Sequence, residues 1–548
     1  MTAVTIDADD GLPLTVGALL RARAAEMGPA PMMACDDDTL TYADAEARSG
    51  QLARGLMAAG AGRGTHIGVL HPNGSDFVVS WLAAARIGAL TLPFSTFSTP
   101  TELAGLLSGA DVEILLCATT YRSHRYDQTL LDAIAELDLS APPPLMAASV
   151  PVLRSIRFAA PIPSVDDGWM VAPLLEAAGS IGDDVLRAAE AEVAPSDRMV
   201  IVHTSGSTSA PKGVIHTHGA LIRHLDNLNQ LRSVGRDEIL FSNSPFFWIG
   251  GFAFALLGSL VAGGRLVCSN APTAAGVLDV LERERPTLVN GFAQSVAHLP
   301  ADPSFAGRDL SSIRRGNLWP IMPVGVAPAD PELRHAMLGM TEAGSVCLLS
   351  PDESDVAEHQ RGSFGRPAPG FEAQVMHPET GEPCAIGETG ELWLRGPFLM
   401  EGYYGRERSD TFEPDGWYRT GDLVAVDGDG LFYFAGRFGD MIKTRGANVS
   451  PREVEAAIAD LIGLRSYVVG VDDDEAGQLV CAAVVVPDGW HFDEPAIDEL
   501  RAGLTARLSA YKVPKVIRLF PESDIPMMSS GKLDARALKA LLGDGLMR

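Results

Sequence analysis

The residues that point most directly to chemistry lie in four separate stretches. In TSGSTSAPKG, Thr204 to Gly213, a run of small residues closes on Lys212. Hydroxyls and unhindered amides at Ser205, Gly206, Ser207 and Thr208 suit phosphate oxygens, and Lys212 adds a mobile charge. A Walker loop needs glycine immediately before its lysine and Ser or Thr after it. Here the order is Pro211-Lys212-Gly213, so the kinase and GTPase reading fails. In LGMTEAGS, Leu338 to Ser345, Thr341 offers a hydroxyl to a phosphate oxygen and Glu342 a carboxylate to a hard cation. In GWYRTGDL and GRFGDMIKTRGANVSPREVE, Asp422 suits two ribose hydroxyls and Arg437 the same sugar. In PMMSSGKLDARAL, Lys532 stands on a Ser/Gly loop before a terminal helix. Each stretch alone also reads as a plain polar loop, a turn aspartate or a solvated lysine.

The elements that must carry these residues follow from periodicity. TYADAEARSGQLARGLMAAGAGRG has helical apolar spacing and ends in glycine, THIGVLHP reads as a strand, SDFVVSWLAAARIGA as a helix and LTLPF as a strand. Such alternation predicts a mostly parallel sheet covered by helices. A Pro-rich stretch, Ala141 to Val165, interrupts it as loops or extended chain. RMVIVH is predicted as a strand entering the Thr204 loop and HGALIRHLDNLNQL as a helix leaving it. That strand–loop–helix layout would let backbone amides converge on phosphate. A second α/β pattern runs from about Asp237 to Glu342. Short strands with Gly-rich turns fill Gly362 to Phe434, and after GRFGDMIK a compact α+β unit follows. The expected architecture is a large α/β N-terminal domain over 1–438, made of two α/β subdomains and a distorted β-rich one. A small mobile α+β domain would occupy 439–548.

Bulk composition bounds the function classes. The chain has 548 residues, 46% of them hydrophobic, with 70 acidic against 43 basic side chains and a net charge of −27. So acidic a surface repels nucleic acid and anionic membranes, and any anionic ligand needs a locally cationic site. Six cysteines scattered singly form neither a zinc pattern nor a disulfide framework, which fits a reducing cytoplasm. The N-terminus lacks a signal peptide's basic and apolar regions. The uncharged stretch Phe246 to Gly264 approaches a membrane span in length. Its five glycines make it a buried helix instead, so no transmembrane segment is expected.

In this order and spacing, the four stretches resemble the adenylate-forming superfamily of acyl- and aryl-CoA synthetases, nonribosomal adenylation domains and beetle luciferases. The likeness runs from LTYADAEARSGQLARGL to Lys532. The wording PADPELRH…LGMTE is similar to that of actinobacterial fatty-acid–CoA-ligase-like proteins. The resemblance implies an AMP-forming carboxylate–CoA ligase, with ATP, Mg²⁺ and coenzyme A as cofactor and co-substrates. Thr204, Ser205, Gly206, Ser207, Thr208, Lys212 and Thr341 would hold phosphate, and Glu342 the magnesium. Asp422 and Arg437 would hold ribose, and Lys532 would bridge the acid carboxylate and the nucleotide. By the same likeness Gly439 is the hinge, and Lys443 and Gly446 line the pantetheine tunnel, with Lys443 also counted among the catalytic residues.

The acid pocket is expected from PFFWIGGF, NGFAQS and the residues after Gly339, with Phe247, Trp248, Gly250, Gly251, Phe292 and Gly339 as its members; each is also a natural core residue. No aspartate occurs between Pro245 and Gly264 to pair an α-ammonium, which favours a fatty, aromatic or steroid-derived acid. The sequence departs from its relatives at Leu338, where an adenine-stacking aromatic is usual, and in the shortened stretch before it. Two alternatives stand beside the CoA ligase: an enzyme that loads a carrier-protein phosphopantetheine, and a catalytically silent nucleotide-binding protein. The end of the chain at Arg548 without a carrier domain favours free CoA, and a homodimer is left open.

Overall fold

The computed structural model describes residues 11–204, 211–438, 441–444, 447–473, 476–487, 494–508, 512–528 and 533–543. These gather into two compact units, the first holding 11–204, 211–372 and 395–412, the second 373–394 and the described residues from 413 onward.

The first unit contains two large sheets. One has seven strands in the order Gly402–Tyr403, Lys212–Thr217, Arg198–Thr204, Leu90–Pro93, His66–Leu70, Ile114–Cys117 and Ser155–Phe158. From Arg198–Thr204 to Ser155–Phe158 the pairings are parallel. The inner strands His66–Leu70 and Ile114–Cys117 read as nearly continuous apolar runs because both faces are covered. Leu92, Leu115, Ile156, Phe158 and Ile201 are buried in one cluster with Trp169. The Pro-rich stretch is thus not only loop: Ser155–Phe158 supplies the sheet's edge.

The other sheet has six strands in the order Arg315–Gly316, Leu288–Val289, Ile239–Phe241, Arg265–Cys268, Pro31–Cys35 and Asp38–Thr41. Two of its strands come from the chain's beginning, so the second α/β layer is not built from residues 237–342 alone. Helix starts are set by their caps. Thr41 Oγ1 accepts from Asp44 N at 3.0 Å while Asp44 accepts from Thr41 N at 3.2 Å, opening the helix Tyr42–Ala58. Thr99 and Glu102 repeat this before Pro100–Gly109. Each such cap contributes about 1 kcal/mol.

The apolar stretch after Pro245 opens as a π-helix, Gly250–Leu257, and continues as an α-helix, Gly258–Ala262, ended by Gly263 at φ +72°. No helix among the described residues is long and apolar enough to cross a membrane.

The second unit holds a four-stranded sheet, Glu372–Met376, Gly390–Arg395, Tyr418–Val426 and Phe432–Arg437 in that order, and a five-stranded one. In the latter, Gly477–Val486 alternates strictly. Val480, Ala482 and Val484 face Val454, Ile458, Leu500 and Leu504, whereas Cys481 and Ala483 share a cluster with Leu538 and Leu542. The two-residue period of a strand therefore builds a helix-covered layer on each face. Val516–Pro521 joins this sheet in parallel.

Candidate active site

The Thr204 loop connects two antiparallel strands, Arg198–Thr204 and Lys212–Thr217, with Thr204 opposite Lys212 in register. The expected strand–loop–helix layout is therefore corrected: a strand intervenes, and the helix His218–Leu231 starts only after it, capped by Thr217. The β-branched alternation of Lys212-Gly-Val-Ile-His-Thr217 explains the difference, since it suits a strand and leaves no helical face. No helix N-terminus follows the loop directly. Ser205, Gly206, Ser207 and Thr208 lie outside the described residues, as do Gly439, Gly446 and Lys532; Lys443 is placed by its backbone, in the strand Ile442–Thr444.

Thr341 and Glu342 form a short 3-10 turn, Thr341–Ala343, between the strands Leu338–Met340 and Ser345–Leu349, closed by Gly344 at φ +72°. Three contacts fix that turn. His216 Nε2 lies 2.7 Å from the Thr341 carbonyl oxygen. A carbonyl only accepts, so Nε2 carries the proton. Burial pushes the His216 pKa down to about 4, against a smaller upward pull from that carbonyl, so the ring is neutral at neutral pH. Met400 N donates to the Glu342 carbonyl at 2.8 Å. The Tyr403 hydroxyl donates to Glu342 Oε1 at 2.8 Å.

The ring of Tyr403 is buried and faces cations. Lys212 Nζ stands 4.9 Å from its centroid and the Arg406 guanidinium 5.8 Å. Among the described residues no carboxylate pairs with Lys212, and Glu342 Oε2 has no donor. The structure thus brings Lys212 and Glu342 around one tyrosine. A single carboxylate with an open oxygen fits magnesium, which keeps most of its shell for water and phosphate. No cluster of three or more His, Cys, Asp or Glu side chains able to hold a metal ion exists among the described residues. Tyr403, His216 and Met400 were not anticipated. The one signal in the sequence was Gly402-Tyr403 after an apolar run, the mark of a short strand, here paired to Val214 and Ile215.

In the second unit, Asp422 and Arg437 sit opposite each other on adjacent strands, and Arg437 Nε donates to Asp422 Oδ1 at 2.7 Å. The Asp422 side chain is 7% exposed and that of Arg437 59%. The two residues expected at one sugar thus face each other across a hairpin as an ion pair that the sequence did not predict.

The expected acid-pocket aromatics also meet. Phe247 and Trp248 lie 5.4 Å apart edge to face, Trp248 and Phe292 5.8 Å, and Phe97 joins at 6.0 Å from Phe247. Phe292 is 56% exposed. Asn317, in the altered stretch, holds the backbone behind it by two hydrogen bonds to Gly291 of 3.0 and 3.1 Å. A Cβ on Gly251 would lie 2.0 Å from the Pro245 carbonyl oxygen, whereas Gly250 faces open space. Gly339 sits apart, on the strand Leu338–Met340 against Ser345 and Val346. None of the six cysteines is in a disulfide.

The AMP-binding enzyme family matches residues 20–404, and the AMP-binding enzyme C-terminal domain matches residues 453–532. A feruloyl-CoA synthase from Amycolatopsis sp is 31% identical over 93% of this chain and 96% of its own length. A mitochondrial medium-chain acyl-CoA ligase from Mus musculus is 28% identical over 91% of this chain and 82% of its own. Among solved structures, an anthranilate CoA ligase in complex with anthranoyl-AMP superposes with a TM-score of 0.78, at 22% identity over 98% of this chain and 99% of that one. The chain belongs to the AMP-binding enzyme family, with the large α/β N-terminal and small α+β C-terminal parts of that fold.

Proposed function

Proceeding from that membership, we propose that the protein is an AMP-forming carboxylate–CoA ligase for an apolar acid. A carboxylate oxygen attacks the α-phosphorus of ATP, the bond to the bridging oxygen breaks, and pyrophosphate leaves with its electron pair. The CoA sulfur then attacks the acyl carbon of the mixed anhydride, and AMP departs. The observation that carries this reading is Glu342 and Lys212 held around one tyrosine, with no carboxylate on Lys212 among the described residues, in an AMP-binding chain.

In this proposal Thr204, Ser205, Gly206, Ser207, Thr208, Lys212 and Thr341 bind the phosphates. Glu342 holds magnesium, which when bound supplies positive charge against them. Asp422 and Arg437 take the ribose. Lys532 stabilises charge building between carboxylate and phosphate, and Leu338 replaces aromatic stacking by aliphatic packing against adenine. Positioned charge of this kind supplies most of the catalysis in phosphoryl and adenylyl transfer. The hinge is assigned to Gly439 between domains 1–438 and 439–548, with Lys443 and Gly446 on the thiol's path.

The wall of Phe97, Phe247, Trp248 and Phe292 is aromatic throughout, with the Arg122 guanidinium 5.9 Å from Phe97, which suits an aromatic or fatty acid. The names of the feruloyl and medium-chain relatives span the same range. Cysteines free of disulfides accord with a reducing cytoplasm.

The test is incubation with ATP, Mg²⁺ and a panel of cinnamic, benzoic, medium-chain and steroid acids, with and without CoA, read by mass spectrometry. Acyl-CoA formed only with CoA, and lost in Lys532→Ala, is the expected result. Acyl-AMP that CoA does not consume would instead indicate a carrier-protein thiol as acceptor. Absence of acyl-AMP across the panel, from a protein that binds ATP, would count against the catalytic reading.

A further inference from the structure

The segment from Met400 to Tyr404 touches both charged groups of the candidate site. Glu401 N donates to Ile215 O at 2.9 Å and Tyr404 N to Gly213 O at 2.7 Å, which ties the segment to the strand that begins at Lys212. Met400 N and the Tyr403 hydroxyl hold the backbone and the carboxylate of Glu342 from the same side, both at 2.8 Å. The tyrosine ring meanwhile lies under the Lys212 ammonium.

A lysine and a glutamate serving one polyphosphate face a physical difficulty. With little water between them, ammonium and carboxylate attract each other, and a direct pair would leave neither charge for the ligand. A tyrosine answers both sides of it. Its π-face accepts a cation without neutralising it, and its hydroxyl donates to a carboxylate without cancelling that charge. A cation on the ring face also makes the phenol a stronger donor toward Glu342.

We propose that Tyr403 is a positioning residue that orients Glu342 toward the metal and insulates it from Lys212. This rests on the reading of Glu342 as the metal-holding carboxylate. Tyr403→Phe keeps the ring and removes the hydroxyl; Tyr403→Leu removes both.

The test titrates Mn²⁺ against the full-length protein with α,β-methylene-ATP, read by electron paramagnetic resonance. Nucleotide affinity is also measured in EDTA, and thermal unfolding serves as the check on folding. Expected for Tyr403→Phe is a roughly tenfold weaker Mn²⁺ affinity, with unchanged nucleotide affinity in EDTA and an unchanged melting temperature. Expected for Tyr403→Leu is a larger loss of Mn²⁺ together with weaker nucleotide binding in EDTA, because Lys212 is captured by Glu342. A merely structural role would lower the melting temperature and leave the Mn²⁺ affinity of Tyr403→Phe at the native value, which overturns the proposal. Unaltered nucleotide affinity in Tyr403→Leu would overturn the insulating part. A native protein that binds no Mn²⁺ beside the nucleotide also overturns it. A native protein that binds Mn²⁺ and nucleotide but forms no acyl-AMP would sink the ligase reading and leave this one standing.

Discussion

Glu342 and Asp422 are both buried or half-buried carboxylates two residues or fewer from a glycine at φ +72°, yet they are kept in opposite electrical states. Glu342 accepts from the Tyr403 hydroxyl, with the Lys212 ammonium against the face of that ring. Asp422 is joined directly to the Arg437 guanidinium. One charge is oriented and left available; the other is already balanced. A hard cation needs the first arrangement, because the metal repays the cost of keeping a carboxylate unpaired. A neutral sugar needs only directed acceptors and donors, which an ion pair supplies without charge to spare.

The largest effects should separate these two designs. Glu342→Gln preserves shape and the bond from Tyr403 but removes the charge. It is expected to slow acyl-AMP formation by a hundredfold or more, about 3 kcal/mol, and to shift the Mg²⁺ requirement upward. Asp422→Asn is expected to raise the KM for ATP about tenfold with a smaller fall in kcat, because the contact is made equally in ground and transition states. Steady-state pyrophosphate release at varied ATP and Mg²⁺ reads both. If Asp422→Asn altered the Mg²⁺ requirement, or Glu342→Gln changed only the KM for ATP, the contrast would collapse.

The same contrast explains what the sequence disclosed. Asp422 and Arg437 are fifteen residues apart, yet a hairpin register brings them opposite each other, and period-two strands around a Gly-rich turn are visible in the sequence. Tyr403 lies 61 residues from Glu342 and meets it only through sheet pairing with Val214. No local pattern encodes that meeting. His216 was hidden for the same reason, being 125 residues from Thr341. Of the parallel strands, His66–Leu70, Leu90–Pro93 and Arg198–Thr204 were legible as short apolar runs, whereas Ile114–Cys117 and Ser155–Phe158 were not. The strand at Lys212–Thr217 was not, because it follows Pro211 and the Ser/Gly loop without a break and carries Gly213 within it.

A second pair of substitutions tests how tightly each carboxylate's glycine is seated. Alanine at either position must adopt a left-handed backbone, which costs about 1 kcal/mol. At Gly344 the new Cβ would also lie 2.6 Å from Leu221 Cδ2 and 3.4 Å from His216 Cε1, while at Gly421 nothing lies within 4 Å. Gly344→Ala is therefore expected to cost roughly 2 to 3 kcal/mol, on adding the strain of overpacking, and Gly421→Ala about 1 kcal/mol. Denaturant unfolding measures both. Equal losses would mean that the Leu221 side chain yields freely, and that the turn carrying Glu342 is no more rigidly seated than the strand carrying Asp422.

The smallest expected effect concerns acid. Four histidines are held neutral by burial, His216 among them against the Glu342 turn: His203, His216 and His218 are pushed down to about 4, and His224 to about 3. For His224 burial is the main cause and the neighbouring His216 the next, opposed by the Val346 backbone; its ring packs against Phe371 and Phe398, which also touch each other. An unfolded histidine titrates near 6.5. Between that value and the folded one, the unfolded chain binds the proton and the folded chain does not. The stability these residues contribute is therefore fully present above about pH 6.5 and is lost as pH falls toward 4. His224→Phe removes one such proton from the unfolded state. It is expected to flatten the fall in unfolding free energy between pH 6 and pH 4 by about 1 kcal/mol per pH unit, as read from urea unfolding at fixed ionic strength. An unchanged slope would mean that His224 protonates without unfolding, and that its aromatic pocket admits a charge which burial should refuse.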